Sequence, residues 1–500
     1  MTSPDDGPGE AGPGGRRPAV LLESTRKPTA YWLFVLLVLT LLSEETAYAY
    51  NLVTPALPDM AAHLKTSQIA WVATLFSLIG GVSAPLIGKL ADIHGKKRVL
   101  LSATGAMACG SLVVAVAPSI QVVLVGRALE GAAISILPLT YSIMRDIFPK
   151  KLLAIGVSIA TTGIGLTGIL APVIAGALID HFTYRGVFYF LAVFPVVLGA
   201  LVLLFVPESP VRARSRVDWW GALLLGVAVG LLLVGLSEGP TWGWGSTATL
   251  GCFIGGVVVL VGWLAYERHS AEPLIDVGLL TGRPLLTTAI VQFTAQGIIA
   301  LNFVLLSFLV QVPRALGHTY GFGASASGLA AYTTPGGIIS MLIGFAVGFV
   351  VRSRGARLPL RLAFVFSIVG CLLLGTVHDR PWQVFVGYCV YAVGGGALGA
   401  AIPNLVIAAV PSEKQAVSAG TVNLVGALGA SIFVQIGFVI LNAQVSTVVQ
   451  GQPIYSGTGF TLVYIYTAVV AAAGLAASLV MRHGAAERAE PAQASRVPAH

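Results

Sequence analysis

Long apolar runs recur along the whole chain, broken by short polar stretches, and this pattern dominates every shorter one. The runs fall at about 31–57, 68–91, 99–118, 119–144, 152–178, 186–206, 217–236, 246–266, 285–311, 323–350, 359–377, 382–408, 416–441 and 460–481. A membrane-spanning α-helix takes about 20 apolar residues, so each run is long enough to cross. Inside lipid the backbone satisfies its own polar groups only as a helix or a closed barrel, and the period-2 alternation of barrel strands is missing. The pattern therefore predicts an all-α integral membrane protein of fourteen spans, with both chain ends on one face. The Gly/Pro-rich stretch 1–29 and the polar, Ala-rich stretch 483–500 read as disordered tails. The first stretch lacks the apolar core of a signal peptide, so the first span is expected to direct insertion.

Composition agrees. The 500 residues are 56% hydrophobic and 10% charged, with mean hydropathy +0.86, whereas soluble chains carry about 25% charged residues. The net charge of +8 could signal a polyanionic partner, but its distribution argues otherwise. Lys65, Arg185, Arg314 and Arg380 fall on the face opposite the termini and Arg127 falls inside a span; the other Lys and Arg lie on the terminal face or at its edge. That asymmetry predicts cytoplasmic termini and no nucleic-acid binding. Cys109, Cys252, Cys371 and Cys389 all fall within spans without metal-ligand spacing, so they read as small packing residues and no metal or cofactor is expected.

The most informative loop is Gly88–Leu100 (GKLADIHGKKRVL), between the second and third spans. Gly88 and Gly95 allow close backbone approach at a tight turn, Asp92 can face a helix N-terminus, and Lys96, Lys97 and Arg98 follow at once. A shift of 260 residues brings Gly88 and Gly95 onto Gly348 and Gly355, again in a basic turn, with Arg352 opposite Asp92. A second, degraded copy suits two related halves. The loop resembles the signature loop of the major facilitator superfamily, which implies two six-helix bundles and a role for Gly88, Asp92, Gly95, Lys96 and Arg98 in a latch that breaks as the bundles rock. The basic residue that usually follows the Asp is here Ile93.

Six and six leave two spans over. The expected division is 30–210 for the first bundle, 211–270 for two inserted helices and 271–482 for the second bundle. Arg212, Arg214 and Arg216 before the inserted pair read as anchors on the terminal face, with lipid head-group binding as the other option. Trp242 and Trp244 read as interfacial aromatics. The inserted pair and the amphipathic connector 272–286 resemble the fourteen-span branch of the drug:proton antiporters.

Polar residues inside spans are costly and mark function or a structural pair. Arg127 and Glu130 lie on one face of the fourth span at i, i+3. They resemble the superfamily's fourth-helix Arg…Gln-Gly motif with Glu130 in place of the Gln; a self-neutralised structural pair and a proton-responsive site both fit. Glu44 and Glu45 interrupt the first span, and being adjacent they point about 100° apart. At ~1.5 Å per residue, Glu45 lies ~21 Å from one end of its helix and Arg127 ~12 Å from the far end of an oppositely directed one, so a contact between them is possible if the helices are neighbours. Related exporters carry a first-helix acid that takes up protons; in the fourteen-span relatives it stands where this chain has Ala49.

The fifth span, 163–180, resembles the Gly-rich exporter motif at Pro172 and Gly176, with Thr167, Ala171 and Ala175 replacing its other glycines; small residues alone would also pack helices closely. Tyr48, Asn51, Gln292 and Gln296 are candidate cavity residues, the two Gln at i, i+4 serving substrate or a neighbouring helix. Gly394–Gly396 reads as a tight helix contact. With neither a GxxxxGK[ST] motif nor a soluble domain to hold ATP, free energy must come from a gradient. The resemblance implies proton-coupled export of small lipophilic molecules by a plasma-membrane monomer among lipids, with Glu44, Glu45, Arg127 and Glu130 carrying the coupling. A dedicated exporter or importer of one metabolite, such as a siderophore or lipid, remains open, as does a non-transporting sensor or assembly partner. An enzyme is not expected.

Overall fold

The computed structural model describes residues 28–148, 150–212, 217–270, 273–275, 278, 282–312, 321–410, 415–449, 452–481 and 483–484, with side chains left out at 150–166 and a few further positions. In chain order the helices are α1 Thr29–Ser43, α2 Glu45–Asn51, α3 Val53–Leu64, α4 Ala70–His94, α5 Lys96–Ala115, α6 Ile120–Glu130, α7 Ile136–Ile147, α8 Lys150–Phe205, α9 Trp219–Trp242, α10 Thr247–His269, α11 Arg283–Gln311, α12 Ala326–Arg354, α13 Arg357–Thr376, α14 Pro381–Ala409, α15 Gln415–Asn442 and α16 Gly457–Val480. A short antiparallel pair, β1 Val445–Val449 and β2 Gln452–Tyr455, links α15 to α16.

Thirteen stretches among the described residues are long and apolar enough to cross a membrane. One of them, Thr167–Phe205, runs for 39 residues, about twice what a bilayer needs. It belongs to α8, which turns at Thr183 (φ 58°, ψ −174°). Thr183 stands between the expected spans 152–178 and 186–206, and dividing the stretch there restores fourteen. The first span is in three pieces, α1 to α3, because its ladder breaks at Glu44 and Leu52. The fourth is interrupted by a 3₁₀ stretch, Gly131–Ser135.

The halves repeat one another at their signature turns. Gly95, between α4 and α5, has φ 114°, and Gly355, between α12 and α13, has φ 76°. Both need the left-handed backbone that glycine tolerates. Gly88 differs from its expected role: nothing lies within 4 Å of where its Cβ would be, so no close contact requires a glycine there. Arg352's side chain, Arg214, Arg216 and Arg314, most of the connector 272–286 and nearly all of both tails lie outside the described residues.

Across the middle of the molecule α4 packs on α15, and α8 on α12. Of the inserted pair, α9 packs on α4 and α15 while α10 packs on α9, and Leu78, Val82, Leu225, Val229, Trp263 and Leu424 share one apolar cluster. The pair therefore sits over the seam between the halves. Trp242 and Trp244, at its turn, are exposed.

Candidate functional site

Two helix defects meet inside the first bundle. In the first, the Ser43 hydroxyl donates to the Thr40 carbonyl at 2.7 Å, and the Glu44 N–H reaches the same carbonyl only at 3.3 Å. Side-chain competition of this kind loosens a helix. In the second, the 3₁₀ turn begins at Gly131, directly after Glu130. The Thr46 hydroxyl donates across to the Ala133 carbonyl at 2.6 Å, tying one defect to the other.

Glycines bring the neighbouring helices close. A Cβ on Gly110 would lie 2.6 Å from the Gly126 oxygen, and one on Gly80 would lie 2.8 Å from the Gly131 oxygen. This approach lets Ser111 on α5 donate to Glu130 Oε1 at 2.5 Å. It also lets Arg127 Nε donate to the Val72 carbonyl on α4 at 2.9 Å. Arg127 forms an ion pair with Glu130 Oε2 and lies over the Phe76 ring at 4.5 Å. Arg127 is 1% exposed and Glu130 0%.

Glu44 and Glu45 diverge, as adjacent helical residues must. Glu44 faces α8, where its Oε2 accepts from the Thr167 hydroxyl at 2.7 Å while Oε1 has no partner. Glu45 is wholly buried, within electrostatic reach of Glu130, and neither of its oxygens has a partner. The anticipated Glu45–Arg127 contact is not among the described ion pairs. Depth along two helices matched, but Arg127 is already held by its own helix and by α4. Of three buried carboxyl groups, Glu130 alone is paired with the guanidinium; Glu45 lies within reach of Glu130, and Glu44 is bound to Thr167 on α8. Burial of uncompensated charge is expensive, and Glu45 has no partner in the structure to offset that cost.

Other candidates are placed differently. Tyr48 is enclosed by Phe190 and Phe194, with ring centroids 6.0 and 5.4 Å away; Asn51 is half-buried. Gln292 is buried and Gln296 exposed, and a Cβ on Gly426 would lie 2.9 Å from both side chains. Asp92 is half exposed, and its described partner is Lys96 at 4.0 Å rather than a helix end. Lys96 is instead buried against Asp146 at 2.6 Å, which also accepts from Ser209 Oγ at 2.6 Å. The Lys97 N–H donates to Glu208 at 2.9 Å, and Arg98 is exposed. The signature loop is therefore bound to the ends of α7 and α8 in its own half. Asp146, Glu208 and Ser209 escaped sequence reasoning because their partners are 50 or more residues away.

The exporter-like segment forms a seam. Pro172 is buried, and a Cβ on Gly176 would lie 2.5 Å from Ser327 Cα on α12. Asp180 accepts from the N–H groups of Ala326 and Ser327 at 3.1 and 3.2 Å. Gln311 donates to the Pro55 carbonyl at 3.0 Å, Thr334 to the Ile169 carbonyl at 3.4 Å, and Ser431 to the Thr74 carbonyl at 3.2 Å. Thr74 also donates to Gln435 at 3.4 Å. These hydrogen bonds joining the halves lie in the half of the membrane away from the termini, whereas Lys89 donates to the Pro273 carbonyl of the connector on the terminal side at 3.3 Å.

A sequence profile of the Major Facilitator Superfamily matches residues 46–434. The chain belongs to this superfamily. Multidrug resistance protein Stp of Mycobacterium tuberculosis is 29% identical over 411 residues, covering 78% of this chain and 72% of that protein. Multidrug resistance protein 3 of Bacillus subtilis is 27% identical over 385 residues, covering 75% and 73%. The solved structure of a peptide transporter, POT, in complex with sulfate superposes with TM-score 0.64 at 15% identity, covering 89% of this chain and 93% of that one. This superfamily member is a multi-pass membrane transporter of small molecules, not an enzyme.

Proposed function

We propose that the protein exports small lipophilic molecules in exchange for protons. The observation that carries this reading is Glu45: fully buried, with both oxygens unpartnered, beside the Arg127–Glu130 pair. A group in that setting gains from binding a proton and loses it when a competing conformation admits water or substrate. Glu45 interacts electrostatically with Glu130, so these two hold the coupling proton jointly, with Glu44 as a further buried acid beside Thr167. The two relatives named as multidrug resistance proteins support export of drug-like substrates.

The halves, 30–210 and 271–482, rock about the central cavity, to which Gln292 and Gln296 contribute from the second half. Their polar contacts on the far side hold that side closed, which supports an arrangement that opens toward the terminal face. The basic residues concentrated there support a cytoplasmic terminal face in the plasma membrane. The transporter works as a monomer among lipids.

The test uses proteoliposomes with an interior pH dye, an imposed proton gradient, and a panel of lipophilic cations and neutral drugs. Proton movement on adding a compound, abolished in Glu45→Gln and Glu130→Gln, is expected. Well-folded protein that moves no proton with any compound would overturn the reading and point to a dedicated metabolite carrier.

A further inference from the structure

The inserted hairpin carries a second acidic pair that the route through the bundles does not use. Asp218 caps the start of α9, Glu267 lies in the last turn of α10, and they are 7% and 2% exposed. Each carboxyl group has one oxygen engaged. Asp218 Oδ1 accepts from the Gly221 N–H at 2.8 Å and from the Tyr266 hydroxyl at 2.9 Å. Glu267 Oε1 accepts from the Ile275 N–H, in the connector, at 2.5 Å.

The remaining oxygens, Asp218 Oδ2 and Glu267 Oε2, have no partner. Both lie within 2.8 Å of the point a Cβ on Gly221 would occupy, so the two oxygens face each other across the space that glycine leaves. Glycine is needed here to leave room for the meeting. Two ionised carboxylates so placed would repel, and neither could donate a hydrogen bond. One proton between them makes one group the donor and the other the acceptor, satisfying both orphaned oxygens at once.

The charges around the pair leave this solution in place. Lys89, reaching in from α4, donates to the Pro273 carbonyl at 3.3 Å. Arg268 and His269, on α10 itself, are exposed. Among the described residues, no basic side chain forms an ion pair with Asp218 or Glu267.

We propose that Asp218 and Glu267 form a second proton-binding site, sharing one proton between Oδ2 and Oε2. Its occupancy holds the hairpin and the connector together: Glu267 grips the connector at Ile275 while Lys89 of the first half grips it at Pro273. The proton is therefore bound where the hairpin covers the seam between the halves.

The test is thermal unfolding of the purified full-length protein in detergent from acidic to alkaline pH, with infrared pH-difference spectra of the same samples. In Glu267→Gln the amide donates permanently to Asp218 while its oxygen still accepts from Ile275; Asp218→Asn is the reciprocal variant. A proton held only in the folded state stabilises at low pH and is lost as pH rises. Wild type is therefore expected to lose more stability toward alkaline pH than either variant. Its infrared spectrum should contain one protonated-carboxyl band that both variants lack, and this band remains the readout should one variant fail to fold. Equal slopes and an unchanged band would overturn the proposal. So would a rise in wild-type Tm on adding magnesium or sodium ions that both variants lose, since that marks a cation site.

Discussion

The Thr46 hydroxyl on α2 donates to the Ala133 carbonyl in the 3₁₀ turn of the fourth span, 2.6 Å away. Each partner stands where its helix departs from regular geometry, so the bond joins two weakened ladders. A mid-helix 3₁₀ stretch often marks a hinge. Here the two distorted segments flank Glu45 and Glu130, and movement of one is carried directly to the other. Thr46→Val removes the bond at similar volume and should cost about 1 kcal/mol, read as a lower Tm in detergent. Thr46→Ser, which keeps the hydroxyl, should restore most of it.

Glu130→Ala leaves Arg127 buried without its carboxylate. Breaking a buried pair in this way costs about 3–5 kcal/mol, so the variant should unfold well below wild type. Glu130→Gln still offers Arg127 an amide oxygen. It should stay folded, and its transport should lose dependence on the pH gradient. Unchanged pH-driven transport in that variant would remove Glu130 from the coupling set.

Two ion pairs at the signature loop should behave oppositely. Asp146 is almost buried against Lys96, whereas Asp92 is half exposed and 4.0 Å from the same amine. Exposed pairs contribute about 0–1 kcal/mol. Asp146→Asn strands a buried ammonium and should lower Tm far more than Asp92→Asn. Equal losses would mean that Lys96 exchanges freely between the two.

The far-side seam depends on Gly176 and Asp180. Gly176→Val drives a side chain into Ser327, an overpacking that costs about 1–3 kcal/mol and falls only on the conformation closed on that side. Spin labels at the Thr183 turn of α8 and at the start of α12 should therefore report longer distances in Gly176→Val than in wild type. Asp180→Asn, which weakens acceptance from Ala326 and Ser327, should shift them in the same direction by less.

At the terminal face, His483 lies 2.9 Å from the Thr288 hydroxyl, and its carbonyl accepts from Arg357 at 2.6 Å. Burial and the nearby Arg357 hold its pKa below the usual 6.5. The neutral ring is the form that fits, so its contribution is present above pH 6.5 and fades as pH falls through the lowered value. Amide protection around Gly484, taken relative to the intrinsic exchange rate at each pH, should fall in mild acid for wild type. His483→Gln should remove that pH dependence.

Much of the fold was legible because lipid imposes a single length and a single backbone solution on every span. The turn at Gly95 and its copy at Gly355 were readable from spacing, and Arg127–Glu130 from helical periodicity. What stayed hidden was direction around the helix axis. Depth along two helices matched Glu45 to Arg127, yet Arg127 turns toward Val72, Phe76 and Glu130. The Lys96–Asp146 and Thr167–Glu44 pairs join residues far apart in sequence, and no local pattern marks them. Thr183 gave no warning either, since nothing in a threonine demands a positive φ.

The internal closure of the signature loop has a consequence for how the transporter responds to its medium. Lys96, Asp146, Lys97 and Glu208 all bind within one half, so their attraction is the same whichever way the halves lean. Of the described hydrogen bonds that join the halves, only those of Asp180 and Lys89 involve a formal charge. Neutral contacts are barely screened by dissolved ions. The balance between the two orientations should therefore hold nearly constant from dilute to concentrated salt, leaving osmotic shifts in the cell without leverage over the direction in which the cavity opens.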